Sequence, residues 1–315
     1  MKDALEEIFE TQTAFNRRFF ADRGLDLAEL SGADRAQWTK QFVLHVEGEL
    51  HELLRETNWK MHRLEGKRVN RGNVLEEWTD CFKFLLGLAN VWGFSASEVL
   101  EEFRRKSRVV DYRYGMEQRL RAISPGSPVV AVDIDGVLND YPGCFLRWVS
   151  PPAEEPFETL AALREKVGPK RYREIKDEYR KSGAKREQGV RPGAREMLNG
   201  LRAAGYSVVL LSKRPYWRFY RIYADTLEWL ERNGLRCDAV LFHREKHRKI
   251  LEDFPNLIAM VEDDPAVARE ILSIGVEVFL VEGELNVGAE VPGANRISNV
   301  ADVVTELEEI GYESR

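Results

Sequence analysis

The stretch Val129-Val-Ala-Val-Asp-Ile-Asp-Gly-Val-Leu138 decides the fold of the C-terminal half. Four consecutive apolar residues have the length and composition of a strand buried on both faces. In an extended chain, residues two apart face the same side, so Asp133 and Asp135 leave the strand's carboxyl end toward one pocket. Gly136 lets the backbone turn away at once. Two carboxylates so placed suit covalent phosphoryl transfer, with Asp133 as nucleophile and Asp135 protonating the leaving oxygen.

Working outward, short apolar runs recur at 207–211, 239–242, 257–261 and 276–281. Helical patterns separate them at about 192–204, 217–233, 244–252 and 265–273. Strands alternating with helices predict a parallel sheet covered on both faces, a three-layer α/β domain of Rossmann type. Residues 143–190 interrupt the alternation directly after the first strand. They are charged and helical, and read as a small cap over the strand ends, where open α/β sheets bind ligands. The cap carries Lys170, Arg171, Arg173, Lys176, Arg180, Lys181, Lys185 and Arg186 among acids. Charge runs of this kind are usually solvated helix faces.

Before residue 123 the texture is different. Segments near 2–22, 36–56, 73–92 and 96–121 repeat apolar residues every three or four positions, the signature of amphipathic helices. Breaks fall at Gly24, between Gly66 and Gly72, and at Gly93, where Ser95 and Glu98 form a capping-box pattern. The expected organisation is an all-α bundle over 1–122, a Pro/Gly/Ser linker over 123–128, and the α/β domain over 129–315.

The second helix carries Glu49-Leu-His-Glu52 and the third Glu77-Trp-Thr-Asp80. Residues three apart share a helix face, so two such helices side by side gather four carboxylates. Acidic pairs on helices are commonly solvated. These border apolar stripes, Phe42, Val46, Leu50, Leu53 and Leu54 on one helix and Leu75, Trp78, Phe82, Leu85, Leu86 and Ala89 on the other. Carboxylates beside a core cost stability unless paired or metal-bound. All-oxygen donors favour magnesium, or manganese.

Composition sets the limits. The 315 residues are 43% hydrophobic and 32% charged, with 47 Lys and Arg against 53 Asp and Glu. A net charge of −6 argues against general nucleic-acid binding. No apolar run approaches the roughly 20 residues of a membrane span, and the acidic N-terminus is no secretory signal. Three scattered cysteines, Cys81, Cys144 and Cys237, fit reduced thiols and a cytoplasmic location.

The acidic pairs, with Gln12-Thr-Ala-Phe-Asn16, Asn58-Trp59-Lys60, Phe103-Arg-Arg-Lys106 and Val109-Val-Asp-Tyr-Arg113, resemble the all-α nucleoside triphosphate pyrophosphatases, the MazG-like and dimeric dUTPase superfamily. The resemblance covers about residues 8–116. It implies that Glu49, Glu52, Glu77 and Asp80 hold metal, that Gln12 and Asn16 read a pyrimidine, and that Trp59, Lys60, Lys106 and Arg113 serve the substrate, the last two on phosphate. The implied reaction is attack of water on the α-phosphorus of dUTP or a related deoxynucleotide, releasing pyrophosphate. A homodimer through the helical half is also implied. Asp111 stands near an expected Asn, and the domain lacks inserted helices, which leaves the base open.

The C-terminal motif resembles the haloacid dehalogenase-like phosphatases, whose other motifs follow in order. Ser212 ends a strand and would donate a hydrogen bond to the phosphoryl group. Lys213, Arg214 and Trp217 follow it, and together with Asn139 and Tyr141 they lie near strand tips as candidates for substrate contact. Lys246, or Lys249, would neutralise the aspartyl-phosphate. Asp133, Asp135 and Asp263 would hold magnesium, with Glu262 and Asp264 as neighbours of undecided role. The combined expectation is a bifunctional hydrolase of small deoxynucleotides. The first domain yields a monophosphate and the second removes its phosphate. Two rivals stand beside it: a phosphatase of polynucleotide ends, and a helical half that only dimerises.

Overall fold

The computed structural model describes residues 3–60, 62, 68–123, 126–150 and 157–311, with Glu117 described by its backbone only. The chain divides into two compact units, Met1–Arg105 and Lys106–Arg315.

The first unit is built from α1 (Ala4–Ala21), α2 (Gly32–Arg55), α3 (Arg71–Trp92) and the start of α4 (Ala96–Ala122). Capping fixes their ends. Ser31 and Asp34 close a capping box on α2. Gly93 ends α3 in the left-handed region at φ 70°. The expected box at Ser95 forms, with the Ser95 amide donating to Glu98 Oε2 at 2.8 Å and the Glu98 amide to Ser95 Oγ at 3.2 Å. The core is small: Phe20, Leu27, Leu30, Phe42 and Val91. α2 and α3 approach closely because Gly87 has no side chain; a Cβ there would stand 2.5 Å from the Phe42 ring. The predicted stripes are only partly core. Phe42 and Leu86 are buried, whereas Leu50, Leu54, Leu75, Trp78 and Leu85 are exposed. Of the break expected between Gly66 and Gly72, residues 66 and 67 lie outside the described residues.

In the second unit, the last turns of α4 pack against the α/β core through Val109, Tyr112, Met116 and Leu120. The division between units thus falls inside a helix, ahead of the 123–128 segment where Pro and Gly had suggested a linker; residues 124 and 125 lie outside the described residues.

Six parallel strands follow: β1 (Val129–Val132), β2 (Ser207–Ser212), β3 (Ala239–Phe242), β4 (Leu257–Glu262), β5 (Glu277–Val281) and β6 (Asn295–Ile297), in the order β3-β2-β1-β4-β5-β6. Every residue of β1 is buried, so both faces of the sheet are covered. The covering elements include α7 (Ala194–Ala203), α8 (Arg221–Arg232), α9 (Lys246–Asp253), α10 (Pro265–Leu272) and α11 (Val303–Glu309). Five strands stand where apolar runs predict them. The sixth has three residues, two of them polar, and no run to reveal it.

The cap holds α5 (Gly143–Val149), α6 (Leu160–Lys181) and a 3-10 turn at Ala184–Glu187. Gly168, at φ 75°, and Pro169 bend α6. Phe145, Leu146, Leu163, Ile175 and Tyr179 give the cap its own core. Residues 151–156 of the expected cap lie outside the described residues.

Candidate active sites

Each unit gathers acidic side chains beside a cavity. In the first, Glu49 and Glu52 from α2 meet Glu77 from α3, with one oxygen of each within 4.8 Å of the others. Slight burial and the neighbouring charges of Glu52 and Asp80 raise the pKa of Glu49. Glu77 is raised as well, chiefly by desolvation, then by Glu52 and Glu49. Asp80 stands outside this trio. It pairs with Lys83 at 3.6 Å and borders a cavity of about 290 Å³.

That cavity is walled by Phe15, Phe19, Trp38, Phe84 and the His45 ring, which stacks on Phe84 at 4.8 Å. Gln12 and Asn16 supply its polar edge. Both are buried one turn apart on α1, and Gln12 Nε2 donates to Asn16 Oδ1 at 3.1 Å. Asn16 Nδ2 is buried without a hydrogen-bond partner among the described residues. A buried amide donor left over in an aromatic cavity is the mark of a site built for a polar ligand.

Four expected contacts lie off this lining. Trp59 is exposed, with the Lys60 ammonium 5.2 Å from its ring centroid. Lys106 and Arg113 belong to the second unit, where Lys106 sits 5.8 Å from the Tyr220 ring and the charge of Arg113 acts on the Tyr223 hydroxyl.

In the second unit, parallel register brings the ends of β1, β2 and β4 to one edge, so Asp133, Ser212, Glu262 and Asp263 border one cavity of about 260 Å³. Lys246, the first residue of α9, reaches it from the side. Its ammonium lies 2.7 Å from Asp133 Oδ1 and 2.7 Å from Glu262 Oε2. Of the two candidate lysines it is the one that reaches Asp133, whereas Lys249 pairs with Asp253 at 2.7 Å. Burial would lower the pKa of Lys246, but Asp133 and Glu262 outweigh it and raise it.

The acidic run after β4 also sorts itself. Glu262 accepts from the amides of Asp263 and Asp264 at 3.1 Å each, in addition to Lys246. Asp264 caps α10, accepting from the Ala266 amide at 2.8 Å. Asp263 projects over Gly136, where a Cβ would stand 2.0 Å from Asp263 Oδ2; Gly136 also needs its φ of 85°. Asp133, Glu262 and Asp263 bring oxygens within 4.8 Å of one another. Desolvation, only partly offset by Lys246, raises Asp133 to about 6. Burial and the charges of Glu262 and Asp133 push Asp263 well above the usual carboxylate range. Three buried carboxylates around one ammonium retain surplus negative charge, and their oxygens fit a hard divalent cation.

Asp135 stands apart from that cluster. Arg214 grips it through Nε at 3.0 Å and Nη2 at 2.6 Å, Lys185 of the cap lies at 3.1 Å, and Asn139 Nδ2 donates at 2.8 Å. Burial alone would raise its pKa, but Arg214 and Lys185 hold it well below the usual range. Arg214, expected on substrate, is buried and committed to Asp135, Gln188 and Thr226. Asn139 is buried too and braces the turn, accepting from the Gly136 and Tyr141 amides. Tyr141, exposed Lys213 and Arg214 itself line the cavity. Trp217 lies off it, with the Arg244 guanidinium 4.7 Å from its ring centroid. Lys185 and Gln188 were not singled out as site residues in the sequence: they sit some 50 residues from Asp135 in a charged run that reads as solvent-facing.

Residues 4–124 match the family model described as dUTPase, so the helical half is dUTPase-like. None of the curated proteins matches. Solved structures similar to the C-terminal part include phosphatases and hydrolases of the haloacid dehalogenase-like family. A predicted phosphatase from Clostridium acetobutylicum is 18% identical, covers 58% of this chain and 99% of its own, and has a TM-score of 0.43. A haloacid dehalogenase family hydrolase from Deinococcus radiodurans R1, with bound phosphate and sodium, is 18% identical over 60% and 98%, TM-score 0.41. A D,D-heptose 1,7-bisphosphate phosphatase from B. bronchiseptica, complexed with magnesium and phosphate, is 15% identical over 58% and 99%, TM-score 0.39. Among the described residues, no helix is long and apolar enough to cross a membrane.

Proposed function

We propose that the chain is a two-site nucleotide hydrolase. The first unit converts dUTP, or a related pyrimidine deoxynucleoside triphosphate, to its monophosphate and pyrophosphate. The second removes the remaining phosphate to leave the nucleoside. The observation that carries the reading is Asp80, which borders the aromatic, amide-edged cavity and acts electrostatically on Glu49 and Glu77. A base held by Gln12 and Asn16 would therefore place its phosphates toward the carboxylates.

In the first site, Glu49, Glu52, Glu77 and Asp80 would hold magnesium. When bound, the metal supplies charge neutralisation and acidifies water. The carboxylates orient the attacking water, and one of them takes its proton. On the strength of the resemblance, Lys106 and Arg113 remain the assigned phosphate contacts, and Trp59 and Lys60 remain assigned to the substrate. A homodimer through the helical unit would cover the apolar side chains that α2 and α3 expose. Three free thiols fit a cytoplasmic enzyme.

In the second site, Asp133 and Asp263 would hold magnesium, with Glu262 beside them and Asp135 two residues from the nucleophile. An Asp133 oxygen attacks the phosphorus, forming an O–P bond as the ester P–O bond breaks. The departing oxygen takes a proton from Asp135. Water then attacks the phosphorus, Asp135 recovers the proton, and phosphate leaves Asp133 free. Lys246 fixes the nucleophile throughout, and the Ser212 hydroxyl donates to the phosphoryl oxygen. Asp135 is clamped as an anion here by Arg214 and Lys185, so its acid role requires both contacts to loosen and the carboxylate to take up a proton before the ester bond breaks.

The test is to incubate the protein with dUTP and magnesium and resolve the products over time. Pyrophosphate and dUMP are expected first, deoxyuridine and phosphate later. Unchanged dUTP in the presence of turnover of another triphosphate would reject the base. No turnover of any triphosphate would reject the first site.

A further inference from the structure

The second cavity has a cation that the phosphatase chemistry does not use. Lys176, on α6 of the cap, lines the cavity together with Asp133. Its ammonium is surrounded by aromatic rings, with the centroids of Tyr172, Tyr141 and Phe145 at 5.3, 5.7 and 6.0 Å. Among the described residues, no carboxylate stands within ion-pair distance of it.

The other buried or half-buried cations of the lining are spoken for. Lys246 holds Asp133 and Glu262, Arg214 and Lys185 hold Asp135, and Arg180 holds Asp177 at 2.9 Å. An ammonium taken partly out of water loses hydration that ring faces restore only in part. Desolvation, with the charge of Arg180 beside it, accordingly lowers the pKa of Lys176. The arrangement is stabilised by an anion arriving in the cavity. The phosphoryl group already has Lys246, Ser212 and the carboxylate cluster at the strand ends, whereas Lys176 lines the cavity from the cap and is left for the rest of the substrate.

We propose that Lys176 is a specificity residue that binds a second anionic group, and that the preferred substrates of this site are phosphate monoesters whose leaving group is itself anionic, nucleoside bisphosphates among them. The inference rests on reading the second site as a phosphatase. It goes beyond the tandem reaction, because a nucleoside 5′-monophosphate offers Lys176 no second anion.

The experiment compares kcat/KM of the full chain on thymidine 3′,5′-bisphosphate and thymidine 5′-monophosphate, for the wild type, Lys176→Met and Lys176→Arg. The wild type is expected to favour the bisphosphate by about 10- to 100-fold, the range of a charge-assisted contact. Lys176→Met removes most of that preference, mainly through KM, and Lys176→Arg restores much of it. Equal turnover of the two substrates by the wild type overturns the proposal. So does a Lys176→Met loss shared in equal proportion by both. If neither substrate is hydrolysed, the phosphatase reading fails on its own. Calorimetric binding of the same two compounds to Asp133→Asn, with and without Lys176→Met, then decides: tighter, Lys176-dependent binding of the bisphosphate supports the anion site, and equal binding overturns it.

Discussion

Glu49, Glu52 and Glu77 converge in the helical unit while still reached by water, and the one ion pair beside them among the described residues joins Lys83 to Asp80. Asp133, Glu262 and Asp263 converge in the α/β unit under nearly complete burial, with Lys246 set between two of them. Solvent screens the first cluster, so it tolerates the repulsion. The second cannot be screened, so the chain supplies counter-charge itself, and extends the arrangement to Asp135 with Arg214 and Lys185. One cluster leaves its charge to solvent, and the other is largely offset by cations of the chain itself.

Removing one carboxylate from each site breaks the comparison most severely. Asp133→Asn deletes the proposed nucleophile and is expected to cut phosphate release from a monophosphate by at least about a thousandfold, with pyrophosphate release intact. Glu49→Gln should do the reverse, lowering pyrophosphate release by about a hundredfold. Assaying both products for both variants checks independence. If either change abolished both activities, the sites would not be separate.

Stability separates the clusters next. Lys246→Met leaves Asp133 and Glu262 buried without their cation, and breaking a buried pair this way costs about 3–5 kcal/mol. Chemical denaturation should show that loss in the second unit. Glu49→Gln, at a water-reached site whose charges repel, should show no loss in magnesium-free buffer. A Lys246→Met protein as stable as the wild type would mean that the α/β cluster is not internally neutralised.

Much of this was legible from local pattern. The run Val129–Val132 gave away the strand and the edge at which Asp133 and Asp135 sit, and the i, i+3 pairs brought Glu49, Glu52 and Glu77 together. What was not legible depended on partners distant in sequence. Lys246 and Lys249 differ only in which side of α9 they occupy, which the packing of α9 on the sheet decides. The pairing of Arg214 with Asp135 joins residues 79 apart in the sequence. Prolines and glycine after residue 123 mark where the helix stops, but that its last turns join the α/β core through Val109, Tyr112 and Met116 depends on partners distant in sequence.

The smallest effect is the sharpest test of the exposed cluster. Glu49 and Glu77 bind their protons more tightly folded than unfolded, since their pKa values are raised above 4.5. In chelator, protonation therefore relieves a penalty of the folded state, so the wild type gains slightly on Glu49→Gln as pH falls from 7 toward 4.5. Saturating magnesium should reverse that slope, because metal requires the ionised carboxylates and its stabilisation fades as they protonate. Melting curves of wild type and Glu49→Gln across this range, with chelator and then with magnesium, give the two slopes. The same sign under both conditions would show that these carboxylates repel one another without holding a metal, and the first site would lose its chemistry.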